Sequence, residues 1–281
     1  MQTVHDVAPL RAQVRAWRGR GETVGFVPTM GNLHQGHESL VRLALARADH
    51  VVVSVFVNPT QFGPSEDFSR YPRSLPADQA LLSGVGCDLL FAPEVATMYP
   101  HGADHTAVVH VPDLTSVLEG EFRPGHFDGV ATVVCKLLHM VHPDLAVFGQ
   151  KDYQQLKVVE YLVRDLCLPV QIMAAPICRA DDGLALSSRN QYLSATERAR
   201  APVVHETLLQ MRDWLAAGHA PSVVERAATT RLRRAGLVPD YAVVRRASDL
   251  GVPEASERDG LVALIAAHLG QTRLIDNLTL G

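Results

Sequence analysis

No stretch of this 281-residue sequence approaches the roughly 20 consecutive apolar residues that a bilayer-spanning helix requires, so no membrane partner is expected. Apolar runs such as Val51 to Val57 are far shorter. The first twelve residues carry His5, Asp6, Pro9 and Arg11 but no apolar core of a signal peptide, so export is not expected either. Cysteine is scarce. The four present, Cys87, Cys135, Cys167 and Cys178, include no C-x-x-C pair and stand in apolar surroundings that read as core, which suits a reducing cytoplasm. An excess of basic charge is also missing: the formal net charge is -4, which argues against a nucleic-acid backbone or an anionic membrane as partner. Internal repeats and low-complexity linkers are absent. What remains is an ordinary globular composition, 47% hydrophobic and 20% charged, in a chain long enough for one large domain or two unequal ones.

Short apolar runs at Thr23 to Val27, Val51 to Val57, Leu89 to Phe91, Leu145 to Phe148 and Val170 to Ala174 read as buried strands. Helical stripes lie between them. Val130, Val133, Val134, Leu137, Leu138 and Val141 form one, and Leu156, Val159, Leu162, Val163 and Leu166 form another, each expected to bury a helix face. Continuously apolar strands alternating with helices predict an α/β fold, a Rossmann-like, doubly wound parallel sheet covered on both sides. After about Pro176 the character changes to a polar turn at Arg179 to Gly183, helices over Ala195 to Ala217 and Ser222 to Arg234, and strand-like runs near Tyr241 and over Leu261 to Ala267. This predicts a first domain over 1–176 and a smaller α+β domain over 177–281.

Three polar clusters carry chemistry. The first, Pro28-Thr29-Met30-Gly31-Asn32-Leu33-His34-Gln35-Gly36-His37, follows a predicted strand and opens a helix near Glu38, with H-x-G-H as its core. Unpaired N–H groups and the positive end of a helix dipole make such a turn an anion site, Gly36 permits close approach, and two histidines three apart can donate to phosphate oxygens. The plainer alternative is that His34 and His37 only cap or pack the turn. Zinc is not expected, since no third ligand stands in recognisable spacing. The second cluster, Leu186-Ser187-Ser188-Arg189-Asn190, combines two hydroxyls with a guanidinium fork, a phosphate grip or else a solvated helix cap. The third, Phe148-Gly149-Gln150-Lys151-Asp152-Tyr153-Gln154-Gln155, again follows a strand, where doubly wound sheets bind ligands. There Lys151 can neutralise transition-state charge, Asp152 can bind a ribose or orient the lysine, and Gln155 can reach a polar substrate; an exposed loop with an ordinary Lys-Asp pair is the alternative.

The order and separation of these clusters resemble the pantothenate synthetase family, and the similarity runs over almost the whole chain. Besides the three clusters it includes Phe56-Val57-Asn58-Pro59-Thr60-Gln61-Phe62, Tyr71-Pro72-Arg73, Arg123-Pro124-Gly125-His126-Phe127, Gly183-Leu184-Ala185 and Thr272-Arg273-Leu274-Ile275-Asp276-Asn277. Departures are small: Asn32 and Gln35 stand for an expected Ala and Glu, and Cys178 for an aliphatic residue. Outside the Thr272 to Asn277 string the C-terminal domain matches weakly.

The resemblance implies an ATP-dependent ligase of the nucleotidyltransferase superfamily that joins pantoate to β-alanine through a pantoyl adenylate, releasing pyrophosphate and then AMP. By matching position it implies that His34, His37, Lys151, Ser187, Ser188 and Arg189 meet the triphosphate and the transition state, with His37 as candidate proton donor. Residues Met30 to His37, Gly149, Gln150, Asp152, Cys178 and Leu186 would line the ATP site. Gln61 and Gln155 would hold pantoate, with Asn58, Arg123 and His126 near the substrate or phosphates. Mg2+ would be held mainly by ATP phosphates, with Asp78 a weak candidate to assist and no protein metal site. The resemblance further implies a homodimer and a C-terminal lid. Two rivals remain: a nucleotidylyltransferase acting on a phosphorylated alcohol, and a nonenzymatic ATP-binding module of the same fold.

Overall fold

The computed structural model describes residues 1–64, 66, 68–254 and 257–280. The chain divides into two compact units, one of residues Met1–Gln150 and Gln155–Pro176, the other of Lys151–Gln154 and Ile177–Gly281. In chain order the first unit contains β1 (Gln2–Val4), α1 (Val7–Arg18), β2 (Val24–Thr29), α2 (Gln35–Leu45), β3 (His50–Val55), α3 (Leu75–Val85) and β4 (Leu89–Phe91). Two one-turn helices follow, α4 (Val95–Met98) and α5 (Glu119–Phe122), then α6 (His126–Val141), β5 (Leu145–Gly149), α7 (Tyr153–Asp165), whose first two residues count with the second unit, and β6 (Gln171–Ala175).

The six strands form one parallel sheet in the order β1-β4-β3-β2-β5-β6. Parallel neighbours need crossovers, and the intervening helices supply them on both faces. Against α2 and α3, one face packs Val27, Val51, Val53, Leu90, Leu145 and Val147 around Val41, Ala44 and Leu82. Phe26, Val52, Leu89 and Ala146, one residue out of step, are also buried and face the opposite way, because side chains alternate along a strand. That double burial is why β2 and β3 read as continuous apolar runs. The strand order reverses between β2 and β5, the place where open α/β sheets leave a crevice at the carboxyl ends of their strands. Here the β2–β5 ladder stops at Phe26, and Pro28, which has no N–H to donate, stands where it would continue.

Several sequence expectations shift. Strand β1 was not foreseen: it is a three-residue edge strand of Gln2, Thr3 and Val4 with no apolar run to announce it. Strand β6 is a partly exposed edge rather than a buried strand. Leu166 lies beyond the end of α7 and is exposed, so it does not belong to the stripe.

The second unit contains α8 (Ala195–Arg200), α9 (Val203–Ala216) and α10 (Pro221–Arg234), followed by β7 (Val238–Arg246), β8 (Leu261–Leu269) and β9 (Thr272–Leu280). The three strands pair antiparallel in the order β7-β8-β9. Leu261, Ala263, Ile265, Ala267, Leu274 and Leu280 pack on Val204, Leu208, Met211, Val224, Ala228 and Leu232 of the helices. The single helix expected over Ala195 to Ala217 is two helices. Pro202 follows Ala201 at the break, and a Ser194–Glu197 capping box starts the first of them. Strand β9 was missed because Arg273, Asp276 and Asn277 interrupt its apolar pattern. Among the described residues no helix is long and apolar enough to cross a membrane.

Candidate active site

At the carboxyl end of β2 the chain turns through Gly31 (φ 83°) and Asn32 (φ 51°). Both occupy the left-handed region, which glycine tolerates freely and asparagine better than most residues, so the departure at Asn32 suits its backbone. A Cβ on Gly31 would come within 2.9 Å of Val55 and 3.0 Å of the Asp78 carboxylate. Asp78, reaching up from α3 and only 2% exposed, uses both oxygens on this turn: Oδ2 accepts the Asn32 N–H at 3.1 Å, and Oδ1 accepts the Leu33 N–H at 2.8 Å and the Ser74 hydroxyl at 3.3 Å. Its carboxylate therefore shapes the loop, and no group of three His, Cys, Asp or Glu among the described residues is placed to hold a metal ion.

The next residues start α2 with a reciprocal cap. His34 Nδ1 accepts the Gly36 N–H at 3.1 Å, and His37 Nδ1 accepts the His34 N–H at 3.3 Å, with the two rings 4.2 Å apart. A backbone N–H can only donate, so each Nδ1 must offer its lone pair. In the neutral ring the hydrogen then sits on Nε2. Capping and chemistry are thus compatible: one ring nitrogen orders the helix start, and the other carries the ring hydrogen in a direction that the cap sets. Gln35, at the first helical position, is exposed.

Gln61 is set by two routes. Asn58, 1% exposed, accepts at Oδ1 from the Thr60 N–H (3.4 Å), the Thr60 hydroxyl (3.0 Å) and the Tyr99 hydroxyl (2.7 Å). That fixes which end of the Asn58 amide is nitrogen. Its Nδ2 donates to the Gly129 carbonyl at 3.1 Å and to Gln61 Oε1 at 3.0 Å. The Gln61 amide consequently presents its Nε2 hydrogens, one of them toward Met30 Sδ at 3.2 Å, and suits an acceptor oxygen on a ligand. Gly129 permits the close approach, since a Cβ there would lie 2.4 Å from the Thr60 carbonyl oxygen.

The second route runs through the backbone of Gln61. Arg123 makes a forked ion pair with Glu66 at 2.8 and 2.7 Å and donates from Nη1 to His126 Nε2 at 3.0 Å. With Nε2 accepting, the His126 hydrogen lies on Nδ1 and goes to the Gln61 carbonyl oxygen at 2.8 Å. Burial, and then the neighbouring Arg123 charge, push the His126 pKa down to about 4, which keeps the ring neutral. Arg123 and His126 thus hold the glutamine loop. Tyr99 and Glu66 were not singled out from the sequence, and neither lies in a motif that would have marked it.

Gly149 ends β5, and the Gln150 N–H bonds the Ala175 carbonyl of the neighbouring strand at 2.9 Å. Gln155 is half-buried in the first turn of α7.

In the second unit, Lys151 and Asp152 approach at 3.9 Å, beyond hydrogen-bond distance. The Lys151 carbonyl accepts from Asn277 Nδ2 at 2.9 Å. Cys178 begins a tight antiparallel turn, its carbonyl accepting the Leu186 N–H at 2.9 Å, with a bridge between Arg179 and Ala185. Ser187 leaves that turn and caps a short 3-10 helix over Ser188–Tyr192, accepting the Arg189 N–H at 3.3 Å, while Asn190 Nδ2 bonds the Ala185 carbonyl at 3.0 Å. The residues singled out from the sequence therefore fall into two groups, one in each unit. Met30, His34, His37, Asn58, Gln61, Arg123 and His126 belong to the first; Lys151, Asp152, Cys178, Leu186, Ser187, Ser188 and Arg189 belong to the second.

Comparison with known proteins places this geometry. The family model for pantoate-beta-alanine ligase matches residues 2–279. The pantothenate synthetase of Stutzerimonas stutzeri is 58% identical over 280 residues, 99% of this chain and 97% of that protein, and the one from Xanthomonas axonopodis pv. citri is 56% identical, covering 99% of each. Among solved structures, a pantothenate synthetase from Thermus thermophilus superposes with a TM-score of 0.92 at 48% identity over 99% of both chains. A pantoate-beta-alanine ligase from Francisella tularensis, complexed with beta-gamma ATP and beta-alanine, does so with a TM-score of 0.83 at 32% identity, over 99% of this chain and 97% of that one.

Proposed function

We infer that this chain, which belongs to the pantoate-beta-alanine ligase family, is an ATP-dependent ligase that forms pantothenate from pantoate and β-alanine. We further propose the route. A pantoate carboxylate oxygen attacks the α-phosphorus of ATP and pyrophosphate leaves; the β-alanine amine then attacks the acyl carbon of the pantoyl adenylate, loses a proton and expels AMP. No covalent enzyme intermediate is required. The protein's work is alignment and the stabilisation of charge spreading over phosphate oxygens.

His34 and His37 act as Nε2–H donors to the triphosphate, with His37 the proton donor, and Lys151, Ser187, Ser188 and Arg189 contact the same phosphates. Met30, Gly149, Asp152, Cys178 and Leu186 line the adenosine. Gln61 gives its Nε2 hydrogens to pantoate oxygens, and Gln155 holds the other end. A magnesium ion would be held mainly by the ATP phosphates, since this hard cation usually keeps much of its hydration shell. The enzyme works as a homodimer in the cytoplasm.

The reciprocal His34–His37 cap carries the reading, because it sets the tautomer and direction of two Nε2–H groups at a strand end and helix start suited to an anion. The test is turnover with omission controls, using pantoate labelled with oxygen-18 in its carboxylate. AMP should form only with ATP, pantoate and β-alanine together, and one label should pass into AMP. Unlabelled AMP would exclude the adenylate, and nucleotide transfer to a phosphate ester would favour the nucleotidylyltransferase instead. Replacing His37 or Lys151 by alanine should lower turnover on the order of 10²-fold or more with the fold intact; full activity would remove those roles.

A further inference from the structure

The Thr272–Asn277 string has no part in the chemistry so far, yet two adjacent residues of β9 reach both reactive segments of the second unit. Asp276 is 3% exposed at its side chain and receives a forked pair from Arg179, with Nη1 to Oδ2 at 2.6 Å and Nη2 to Oδ1 at 2.9 Å. The same guanidinium donates to the Gly183 carbonyl at 3.1 Å and the Asn277 carbonyl at 3.4 Å. Arg179 thereby ties down the turn that runs into Ser187, Ser188 and Arg189. Asn277, 1% exposed, sends Nδ2 in the other direction, to the Lys151 carbonyl at 2.9 Å.

Strand alternation explains how one dipeptide does both. Asp276 shares the face of Leu274 and Leu280 that packs on the helices, where His205 of α9 also approaches it at 3.9 Å. Asn277, one residue on, points to the opposite face. The Asn277 N–H also bonds Asp276 Oδ1 at 2.8 Å, which couples the two anchors.

We propose that Asp276 and Asn277 are positioning residues that fix the spacing between Lys151 and the Ser187–Arg189 loop, so that both meet one phosphate chain in register. The inference rests on the phosphate-contacting roles given above to Lys151 and Arg189. Neither Asp276 nor Asn277 touches substrate; each acts through the segment it holds. Displacing the Lys151 backbone by a fraction of an ångström is enough to weaken catalysis that depends on placement.

The experiment is a double-mutant cycle on three-substrate turnover of the full chain. Asn277→Ala should lower kcat about tenfold or more with the KM for pantoate within about twofold, while circular dichroism reports a folded protein at the assay temperature. In a Lys151→Ala background the same change should cost less than about twofold further, because the group it positions is gone. Asp276→Asn, which keeps an acceptor for Arg179 while removing the charge, should behave likewise against Arg189→Ala. Asn277→Ala with full activity beside an impaired Lys151→Ala, or losses that multiply in the double variant, would overturn the positioning role alone. An unimpaired Lys151→Ala would overturn both this inference and the role it rests on.

Discussion

In the first unit Gln61 is held by donors and acceptors that are neutral where they touch it: Tyr99 to Asn58 to its side chain, and His126 to its backbone. In the second unit the loop bearing Ser187 to Arg189 hangs on a buried ion pair, Arg179 with Asp276. The two devices fix different things. A chain of amides and hydroxyls anchored on backbone groups decides which end of Gln61 donates, and so what sort of ligand atom it accepts. An ion pair cannot encode that distinction, but it holds two distant segments together in a way that fails badly when half of it is removed.

The sharpest break in that contrast comes from Arg179→Ala. It leaves the Asp276 carboxylate buried without its charged partner, and the expected loss is about 3–5 kcal/mol in urea unfolding. A loss under about 1 kcal/mol would mean that the pair is not the anchor.

Next in size is the pH response of the first unit. His126 is neutral in the fold with a pKa of about 4, against an ordinary 6.5, so between those values the unfolded chain binds the proton and the folded one does not. Its contribution is complete above about pH 6.5 and falls as pH drops toward 4, by about 3 kcal/mol in total. His126→Asn, which retains a donor for the Gln61 carbonyl but takes up no proton, should flatten the stability curve over that window. Parallel curves for the two proteins would refute the assignment.

The smallest effect expected is on substrate binding. Asn58→Asp replaces the amide nitrogen facing Gln61 Oε1 with an oxygen, so the glutamine amide must turn over and withdraw its donors. The KM for pantoate should rise about tenfold, roughly 1.4 kcal/mol, while the KM for ATP stays within about twofold. Equal changes in both would show that Asn58 supports the fold in general and not the orientation of Gln61.

Much of this was legible in the chain. Val24 to Val27 and Val51 to Val53 announce central strands because both faces of a parallel sheet exclude water and every position is apolar. Gly31, in the left-handed region, and His34 and His37, which cap the start of α2, announce the strand-to-helix turn because its backbone geometry favours them. Strands β1 and β9 stayed hidden for the converse reason: one is a short edge, and the other gives its side-chain positions to Arg273, Asp276 and Asn277. For Arg123 and His126 the sequence pointed toward the substrate region, while their bonds run to Glu66 and to the Gln61 carbonyl.

By itself, then, the order of residues determined an α/β sheet with a smaller α+β unit and the composition of the reactive loops, since hydrophobic periodicity and turn chemistry act over a few neighbours. Only the tertiary structure decided that His126 carries its hydrogen on Nδ1, that Asp276 answers Arg179, and that Asn277 holds the Lys151 carbonyl. Those outcomes depend on partners 65, 97 and 126 residues apart in the chain, brought within hydrogen-bond distance by packing that no local pattern encodes.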